Sequence, residues 1–545
     1  MLGLTRELVR IRSDTPAGQR EMAARLLREL SAIPYFAEHS QQVQLLKAGS
    51  DEDELHSVMA TYRAPFEKGT AETVVLCGHI DTVGVDKHIR KYGADEELPF
   101  DPERLPDRLR EIFPEDKELH EELASGEWLC GRGALDMKGG CAVAVELLRH
   151  LAENSFPWNV VVLFTADEET ESRGIKSALP ELKSLADEGF DFKLFLNLDY
   201  ISPLTPGDRN SYIYTGTIGK MLLGITVYGT ETHAGAPFEG VNAAALLAAI
   251  AAHLEGNQKL TQHVKGQFTP PPTMLYADAR PEKYSVTSPA FARGYTNVFF
   301  MHQTYGEYLR LMTSEVRRAC RLHLQKLGRR HRRMVAKGNL EVARELIRPE
   351  VAHFSALKER LKRKLGDNKD EFRQALEPPE DLNEPREACL AVVEQVASLL
   401  GLIRPTVILS VLPPFYAPYS MVLHEDAREF LAAAKKTARE SRGGTGAKRL
   451  KQRHFYPYIS DMSFVRMPGD GKIAPLLDNC PVPESFELPR PEHRLRMPVI
   501  NLGPWGKDAH RVAERVHIPF LTGDLPNACL SLLAEITGAQ VPDPD

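Results

Sequence analysis

Acidic and histidine residues follow three apolar segments of this sequence, at the points where β-strands would end. They are His79 and Asp81 after residues 73–77, Glu168 and Glu169 after residues 160–165, and Asp199 after residues 194–198. A further aspartate, Asp136, lies in the glycine-rich segment 131–140. Open α/β sheets place their sites just beyond the carboxyl ends of the strands, so these side chains are predicted to meet there.

Carboxylates and imidazoles gathered in one buried place are unfavourable unless positive charge holds them together. A pair of divalent metal ions would supply that charge, so the pattern indicates a metal-dependent hydrolase. Each signal alone has an ordinary explanation: Glu168 and Glu169 could begin a solvated helix, and Asp199 could cap one. Their joint occurrence, in order and each after its own predicted strand, favours a metal site over these ordinary explanations.

Size and composition exclude several classes of protein. The 545-residue chain is too long for one ordinary domain, and its 43% hydrophobic and 26% charged residues are typical of a soluble protein. The net charge of -7 argues against nucleic acid or an acidic membrane as the main partner. The seven cysteines are scattered without a Cys-x-x-Cys pair, which predicts neither a disulfide framework nor a thiolate zinc site. Without a signal-peptide core or an apolar stretch of about 20 residues, a cytoplasmic location is expected.

The order of predicted elements indicates how the chain is divided. Strands alternate with helices from residue 73 to 199, which predicts an α/β fold: a mostly parallel sheet with helices on both faces. The pattern then changes to more exposed strands and long helices, among them a charge-rich stretch over 308–365. We predict one domain formed by residues 1–212 and 417–545, with a second, α+β domain enlarged by helices inserted at 213–416. A glycine- and lysine-rich stretch at 442–451 is predicted to be a loop.

The motifs resemble the M20 family of metallopeptidases and amidohydrolases, which includes acetylornithine deacetylase and succinyl-diaminopimelate desuccinylase. The segments that carry this resemblance, in the family's order, are 78–83, 131–140, 165–169, 197–199 and 503–510. The length of the chain, with the Ser-Asp-Met segment at 460–462 and the Gly-Pro-Trp-Gly segment at 503–506, is most similar to the arginine-utilisation protein branch.

The resemblance implies a cage for two divalent metal ions, most often zinc, although manganese or cobalt could occupy the same ligands. Asp136 would bridge the two ions. His79 and Asp199 would complete the protein ligands of one ion, and Glu169 and His510 would complete those of the other. His517 competes with His510 for its role, but the Gly-Pro before His510 and Glu514 four residues after it favour His510.

The same resemblance implies three catalytic side chains. Glu168 would be the general base, and Asp81 would accept the second ring N–H of His79 and so fix its tautomer. His233 lies in the segment 229–237, which begins the lid or dimerisation domain of the family. It would stabilise the oxyanion, in several members from the other subunit, which implies a homodimer through the lid. The alternative for His233 is a hydrogen bond within its own loop.

Several features depart from the family pattern. The added segment 86–127 must lie near the mouth of the site, where it either shapes or covers the pocket or is a plain surface excursion. The added segment 305–376 contains a basic run on a long helix, for which a solvated or subunit-facing helix is favoured over nucleic-acid binding. Positions that would recognise a substrate carboxylate do not align clearly near 284–297, where Asn297 is a candidate.

The expected reaction is hydrolysis of an amide bond in a small N-acylated amino acid or short peptide, with arginine or ornithine breakdown as the expected setting. A di-metal dipeptidase or aminopeptidase is an alternative that differs only in the lining of the pocket. A non-catalytic binding or scaffold protein is the alternative from another class. It would lack a ligand or the base, and none is missing from the sequence.

Overall fold

The chain forms two compact units. The first comprises Met1–Thr217, Tyr419–Met467 and Pro489–Asp545, and the second comprises Ile218–Pro418 and Pro468–Leu488. Residues 468–488, which the sequence pattern places in the first domain, thus belong to the second unit. The computed structural model describes residues 1–49, 54–65, 71–279, 286–302, 304–338, 346–441 and 449–539.

The strands are numbered here in chain order. Within the described residues they are β1 (Val43–Ala48), β2 (Leu55–Tyr62), β3 (Glu72–His79), β4 (Trp128–Cys130), β5 (Asn159–Thr165), β6 (Asp191–Asn197), β7 (Ser211–Tyr214), β8 (Gly216–Thr217), β9 (Gly219–Tyr228), β10 (His263–Val264), β11 (Gln267–Phe268), β12 (Thr273–Asp278), β13 (Phe291–Phe300), β14 (Glu350–His353), β15 (Thr406–Tyr416), β16 (Tyr419–Ser420), β17 (Leu450–Arg453), β18 (Val499–Asn501), β19 (Gly506–Lys507) and β20 (Arg515–His517).

The α-helices are numbered in the same way. They are α1 (Leu2–Arg10), α2 (Pro16–Ser31), α3 (Pro34–Glu38), α4 (Leu105–Ile112), α5 (Lys117–Ser125), α6 (Gly139–Glu153), α7 (Arg173–Asp187), α8 (Ala243–Leu254), α9 (Tyr305–Ala336), α10 (Phe354–Leu365), α11 (Lys369–Gln374), α12 (Pro385–Leu400), α13 (Arg428–Glu440), α14 (Met462–Val465), α15 (Asp470–Leu477) and α16 (Leu525–Thr537).

The first unit is organised around one mixed sheet with the strand order β1-β2-β5-β3-β6-β18-β7-β17. Its central strands β5, β3, β6 and β18 run parallel to one another. Strands β1 and β2 at one edge are antiparallel to their neighbours, and β7 is antiparallel to β18. The predicted α/β fold is confirmed, with antiparallel strands added outside a parallel centre.

The apolar composition of the central strands explains why they lie in the middle of the sheet. Every residue of β5 is buried, and 160–164 are all apolar. Such continuous apolar runs are typical of parallel strands covered by helices on both faces. The three strands β5, β3 and β6 therefore end side by side, which brings the residues after them to one edge of the sheet.

Helix α6 begins close to the end of β6. A Cβ atom on Gly140 would lie 2.2 Å from the backbone oxygen of Leu198, so only glycine permits this approach. The residues just before α6 are thereby held beside the residues just after β6. A second, three-stranded sheet of the first unit, β19-β20-β4, connects the segment before α6 with the C-terminal part of the chain.

The second unit contains a five-stranded sheet with the order β12-β13-β9-β15-β14. Strand β14 is parallel to β15, and the other pairs are antiparallel. The added segment 305–376 contributes α9, β14, α10 and α11 to this unit. Phe354, Leu357 and Leu361 of α10 and Val392 of α12 share an apolar core with Ile408 of β15. The addition is therefore part of the unit's own core.

Among the described residues, no helix combines the length and the apolarity needed to cross a bilayer. Most of the predicted loop at 442–451 lies outside the described residues; its last two residues, Leu450 and Lys451, begin β17.

Candidate metal centre

Three of the predicted metal ligands lie together at the carboxyl edge of the parallel strands. One ligand atom from each of His79, Asp136 and Glu169 lies within 4.8 Å of the others. His79 is the last residue of β3, Asp136 lies shortly before α6, and Glu169 follows β5. The side chains of His79 and Asp136 are almost fully buried.

Asp136 presents its two carboxylate oxygens to two different histidines. Its Oδ1 lies 2.9 Å from Nε2 of His79, and its Oδ2 lies 2.8 Å from Nε2 of His510. The same Nε2 of His510 lies 3.0 Å from Oε1 of Glu169. Asp136 is thus placed between one group containing His79 and a second group containing His510 and Glu169.

The hydrogen bonds in this cluster shift the pKa values of its members. Burial lowers the pKa of His79, but hydrogen bonds with Asp136 and Asp81 outweigh burial and raise it well above its ordinary value. Burial also lowers the pKa of His510, and hydrogen bonds with Asp136 and Glu169 raise it to about 11. Burial raises the pKa of Asp136, but its hydrogen bonds with the two histidines bring it below its ordinary value. The carboxylates around each histidine therefore favour positive charge at its ring, whether a proton or a metal ion at Nε2 carries that charge.

These donors fit a pair of divalent metal ions. Imidazole nitrogen and carboxylate oxygen are among the ligand atoms that zinc uses in proteins. The Nδ1 atom of His79 lies 3.1 Å from the backbone oxygen of Asp81, which can only accept a hydrogen bond. With the hydrogen on Nδ1, Nε2 is the atom available to a metal ion beside Asp136.

Asp199 lies outside the group of atoms within 4.8 Å of each other, but close enough to interact electrostatically with it. Burial and the negative charge of Asp136 raise the pKa of Asp199 to about 8. The side chain of Asn501 in β18 fixes the backbone of Asp199. Its Oδ1 accepts a hydrogen bond from the backbone N–H of Asp199 at 3.2 Å, and its Nδ2 donates to the backbone oxygen of Asp199 at 2.9 Å. Asp199 as a metal ligand stays a prediction.

Glu168 lies next to Glu169 in the turn after β5. Burial raises the pKa of Glu168 well above its ordinary value, and the negative charges of Asp461, Glu169 and Asp199 add to this effect, whereas His79 opposes it. A carboxylate with a raised pKa is a stronger base than a solvated one, which suits the predicted role of Glu168 as the general base.

Asp81 lies close to His79, as predicted, and also forms hydrogen bonds with the turn after β5. Its Oδ1 lies 3.5 Å from Nδ1 of His79. Its two carboxylate oxygens also accept the backbone N–H groups of Glu168 and Glu169, at 3.1 and 3.0 Å. Asp81 therefore ties the end of β3 to the turn that contains the predicted base and a predicted ligand. The spacing of the sequence indicates the first contact but contains no signal for the second.

Glu514 organises the segment around Asp136. Its Oε1 accepts the backbone N–H groups of Leu135 and Asp136, at 3.3 and 3.2 Å. Its Oε2 forms an ion pair with Arg132, and both side chains are buried. The sequence places Glu514 near His510, but this ion pair joins two segments that are far apart in the chain.

The structure distinguishes His510 from His517. His510 lies in the loop between β19 and β20 and faces Asp136 and Glu169. His517 lies in β20, where its ring packs against Trp128 and Trp505 with centroids 5.2 and 5.7 Å away. His517 thus belongs to the packing of the small sheet.

A group of tyrosines borders the cluster. Tyr200, directly after Asp199, has its ring centroid 6.5 Å from that of His510 and stacks on Tyr458 at 5.1 Å. Tyr458 is 39% exposed and its hydroxyl lies 3.3 Å from Oγ of Ser202, whereas Tyr456 beneath it is fully buried. In the chain, Tyr456 and Tyr458 lie just before the Ser-Asp-Met segment at 460–462.

His233 and Asn297 belong to the second unit. His233 is exposed, and its Nδ1 accepts the backbone N–H of Gly235 at 3.0 Å. This contact is the hydrogen bond within the loop that the sequence leaves open. Because Nδ1 accepts, the hydrogen of the neutral ring is on Nε2, which is available as a donor. Asn297 lies in β13. Tyr284, at the start of the region expected to recognise carboxylates, lies outside the described residues.

Comparison with known proteins extends these observations. The model of the peptidase family M20/M25/M40 matches residues 112–473. The chain is 31% identical over 539 residues to protein RocB of Bacillus subtilis (strain 168), an alignment that covers 96% of this chain and 92% of RocB. It is 28% identical over 173 residues to a probable succinyl-diaminopimelate desuccinylase of Staphylococcus aureus (strain Mu50 / ATCC 700699), covering 31% of this chain and 34% of that protein. The crystal structure of aminopeptidase PepT from Bacillus cereus ATCC 10987 aligns over 98% of each chain with 13% identity and a TM-score of 0.49.

The buried pair of Arg132 and Glu514 leads to a prediction about stability. Arg132→Met leaves Glu514 charged and buried without its partner, so the free energy of unfolding in urea should fall by about 3–5 kcal/mol. As a control, Arg428→Met breaks the exposed ion pair of Arg428 and Glu425, and it should change the free energy of unfolding by less than about 1 kcal/mol. Equal effects of the two substitutions would contradict this account of Glu514.

Proposed function

Because the chain belongs to the peptidase family M20/M25/M40, we propose that it is a two-metal hydrolase of an amide bond in a small N-acylated amino acid or short peptide. The family predicted from the motifs, and with it the prediction of an enzyme, is confirmed. The observation that supports the two-metal site best is the position of Asp136, whose two oxygens face His79 and His510 separately.

The residues divide into two ligand sets in this proposal. Asp136 would hold both ions, His79 and Asp199 would complete the first set, and Glu169 and His510 would complete the second. When bound, two divalent metal ions would polarise the scissile carbonyl and lower the pKa of the attacking water. Zinc is the metal proposed, and manganese or cobalt suit the same donors.

The protein's own side chains account for the proton transfers. Glu168 takes a proton from the attacking water and delivers it to the leaving amine. Asp81 holds the backbone of Glu168 and orients the ring of His79. His233 donates a hydrogen bond to the oxyanion of the substrate in the transition state.

The substrate proposal depends on the relatives. The similarity to RocB covers nearly the whole chain, and that to a probable desuccinylase covers about a third of it. An N-acyl amino acid is therefore preferred over a dipeptide. Arginine or ornithine breakdown is the setting proposed from the resemblance to the arginine-utilisation branch.

Location and assembly are also part of the proposal. All seven cysteines are buried and unpaired, which suits the reducing cytoplasm. We propose a homodimer through the second unit, without a nucleic-acid or membrane partner.

The role of Glu168 can be tested by removing its charge. Glu168→Gln should reduce kcat by about 10²–10⁴-fold, because the amide cannot accept the proton of the attacking water. The assay is a panel of N-acyl amino acids and dipeptides with added zinc, manganese or cobalt. Glu181→Gln, the same change at an exposed position of α7, should keep the wild-type rate. Wild-type rates for Glu168→Gln on every substrate that is cleaved would refute the proposed base.

Metal removal tests the ligand sets. Elemental analysis of the purified protein should find about two metal ions per chain. Dialysis against a chelator should abolish hydrolysis, and zinc, manganese or cobalt should restore it. Asp136→Asn should lose both ions, because this carboxylate faces both histidines, whereas Asp187→Asn on the surface of α7 should retain them. A zinc-reconstituted protein with fewer than two ions per chain would contradict the proposal.

His233 can be separated from the metal ligands. His233→Ala should lower kcat by about 10²–10³-fold without changing the metal content, since it removes a donor to the oxyanion. His263→Ala is the matched control, because this exposed ring also accepts a nearby backbone N–H, that of Gly266 at 3.1 Å.

Mixing two inactive variants tests whether His233 acts across a dimer. A heterodimer of Glu168→Gln and His233→Ala contains one site with both groups intact only if His233 comes from the other subunit. Co-expression of the two variants should therefore restore part of the activity. A co-purified heterodimer without activity would show that His233 does not act across the dimer.

A further inference from the structure

The added segment 86–127 supplies most of the side chains of a small apolar core in the first unit. Its helices α4 and α5 contribute Leu105, Leu109 and Leu119 to this core. The same core includes Val512 and Ala513, which lie in the loop between β19 and β20. The segment therefore packs against the loop that contains His510, and is more than a surface excursion.

Glu122 of α5 binds both ends of that loop. Its Oε1 accepts a hydrogen bond from Nζ of Lys507 at 2.6 Å, at the end of β19. Its Oε2 lies 2.8 Å from Nε and 2.6 Å from Nη2 of Arg515, at the start of β20. The Glu122 side chain is only 14% exposed and that of Arg515 only 4%. Both oxygens of a largely buried carboxylate are therefore used to join the two strands.

This carboxylate also compensates an unfavourable pairing. Lys507 and Arg515 are directly opposite each other in the two-stranded ladder, where two like charges repel. Both cations lie over the ring of Trp128, at 5.7 and 5.4 Å from its centroid. Glu122 is placed between them, so its negative charge allows the two ends of the loop to stay together.

The loop itself has a conformation that must be held. Asp508 and His510 have φ values of 60° and 65°, in the left-handed region that residues other than glycine rarely adopt. The His510 side chain is 44% exposed, yet its Nε2 must stay near Asp136 and Glu169. The loop therefore depends on contacts at its ends and beneath it to keep His510 in place.

We propose that helix α5, through Glu122, positions the loop of His510 and so completes the second ligand set of the metal centre. Glu122 is a positioning residue in this proposal, because it acts through Lys507 and Arg515 and not on the substrate. The proposal rests on the proposed function for the identity of the bound ions. The role of Glu122 in ordering the loop depends only on the contacts described here.

The test compares Glu122→Gln with Glu118→Gln in the full-length protein. Glu122→Gln removes the charge and turns one acceptor oxygen toward Lys507 or Arg515 into an NH₂ donor. Glu118 is the matched control on the same helix, because its carboxylate contacts Lys507 at 2.6 Å but is 73% exposed and does not reach Arg515. Zinc binding by calorimetry and hydrogen exchange of residues 508–514 in metal-free protein are the two measurements.

We expect Glu122→Gln to weaken one of the two zinc sites by about 10–100-fold and leave the other unchanged. Exchange in 508–514 should become faster, while exchange in β3, β5 and β6 stays as in the wild type. Glu118→Gln should leave both measurements close to the wild type. If Glu122→Gln does not fold, Glu122→Asp, which keeps the charge on a shorter side chain, should show a smaller change of the same kind.

Two unchanged zinc sites together with unchanged exchange in 508–514 would overturn the proposal. A wild-type protein that binds fewer than two zinc ions would instead count against the proposed function. The exchange of the loop in metal-free protein would still decide the role of Glu122, so the two failures can be distinguished.

Discussion

A buried carboxylate whose two oxygens face two different histidines is the constraint on which the first unit depends. Asp136 is charged at a place where water cannot solvate it, and the histidines on either side keep its pKa low. Other carboxyl groups lie close by, and burial raises the pKa values of Glu168, of Asp199 to about 8, and of Asp461 to about 6. So many acidic groups around two imidazoles need further positive charge, and a pair of divalent ions would supply it.

Buried polar side chains hold the backbone of each ligand segment. Asp81 accepts hydrogen bonds from the backbone N–H groups of Glu168 and Glu169, and Glu514 accepts one from the backbone N–H of Asp136. Asn501 forms hydrogen bonds with both the backbone N–H and the backbone oxygen of Asp199. These partners order the segments that the predicted ligands belong to. Substituting groups that orient metal ligands typically costs about 10–100-fold in metal affinity or activity.

Both additions to the family pattern supply apolar side chains to a core of the unit in which they lie. The segment 86–127 packs with Val512 and Ala513 beside the small sheet of the first unit. The segment 305–376 adds β14 to the edge of the second unit's sheet and packs α10 against α12. An insertion that buries its own apolar residues costs the fold little, and one that touches a functional loop can also change how that loop is held.

The sequence by itself determined the elements and the chemistry of the predicted site. The apolar run of β5 and the residue types directly after β3, β5 and β6 are local features, and local patterns decide where a strand ends and which side chains follow it. The motifs also identified the family. The roles of the ligands and of Glu168 remain predictions that the geometry supports.

Only the tertiary structure decided which distant residues meet. It joined Arg132 to Glu514 and set Glu122 between Lys507 and Arg515. It also placed residues 468–488 in the second unit. No periodicity in the chain encodes these contacts, because they depend on how whole elements pack and on which charges are buried together when they do.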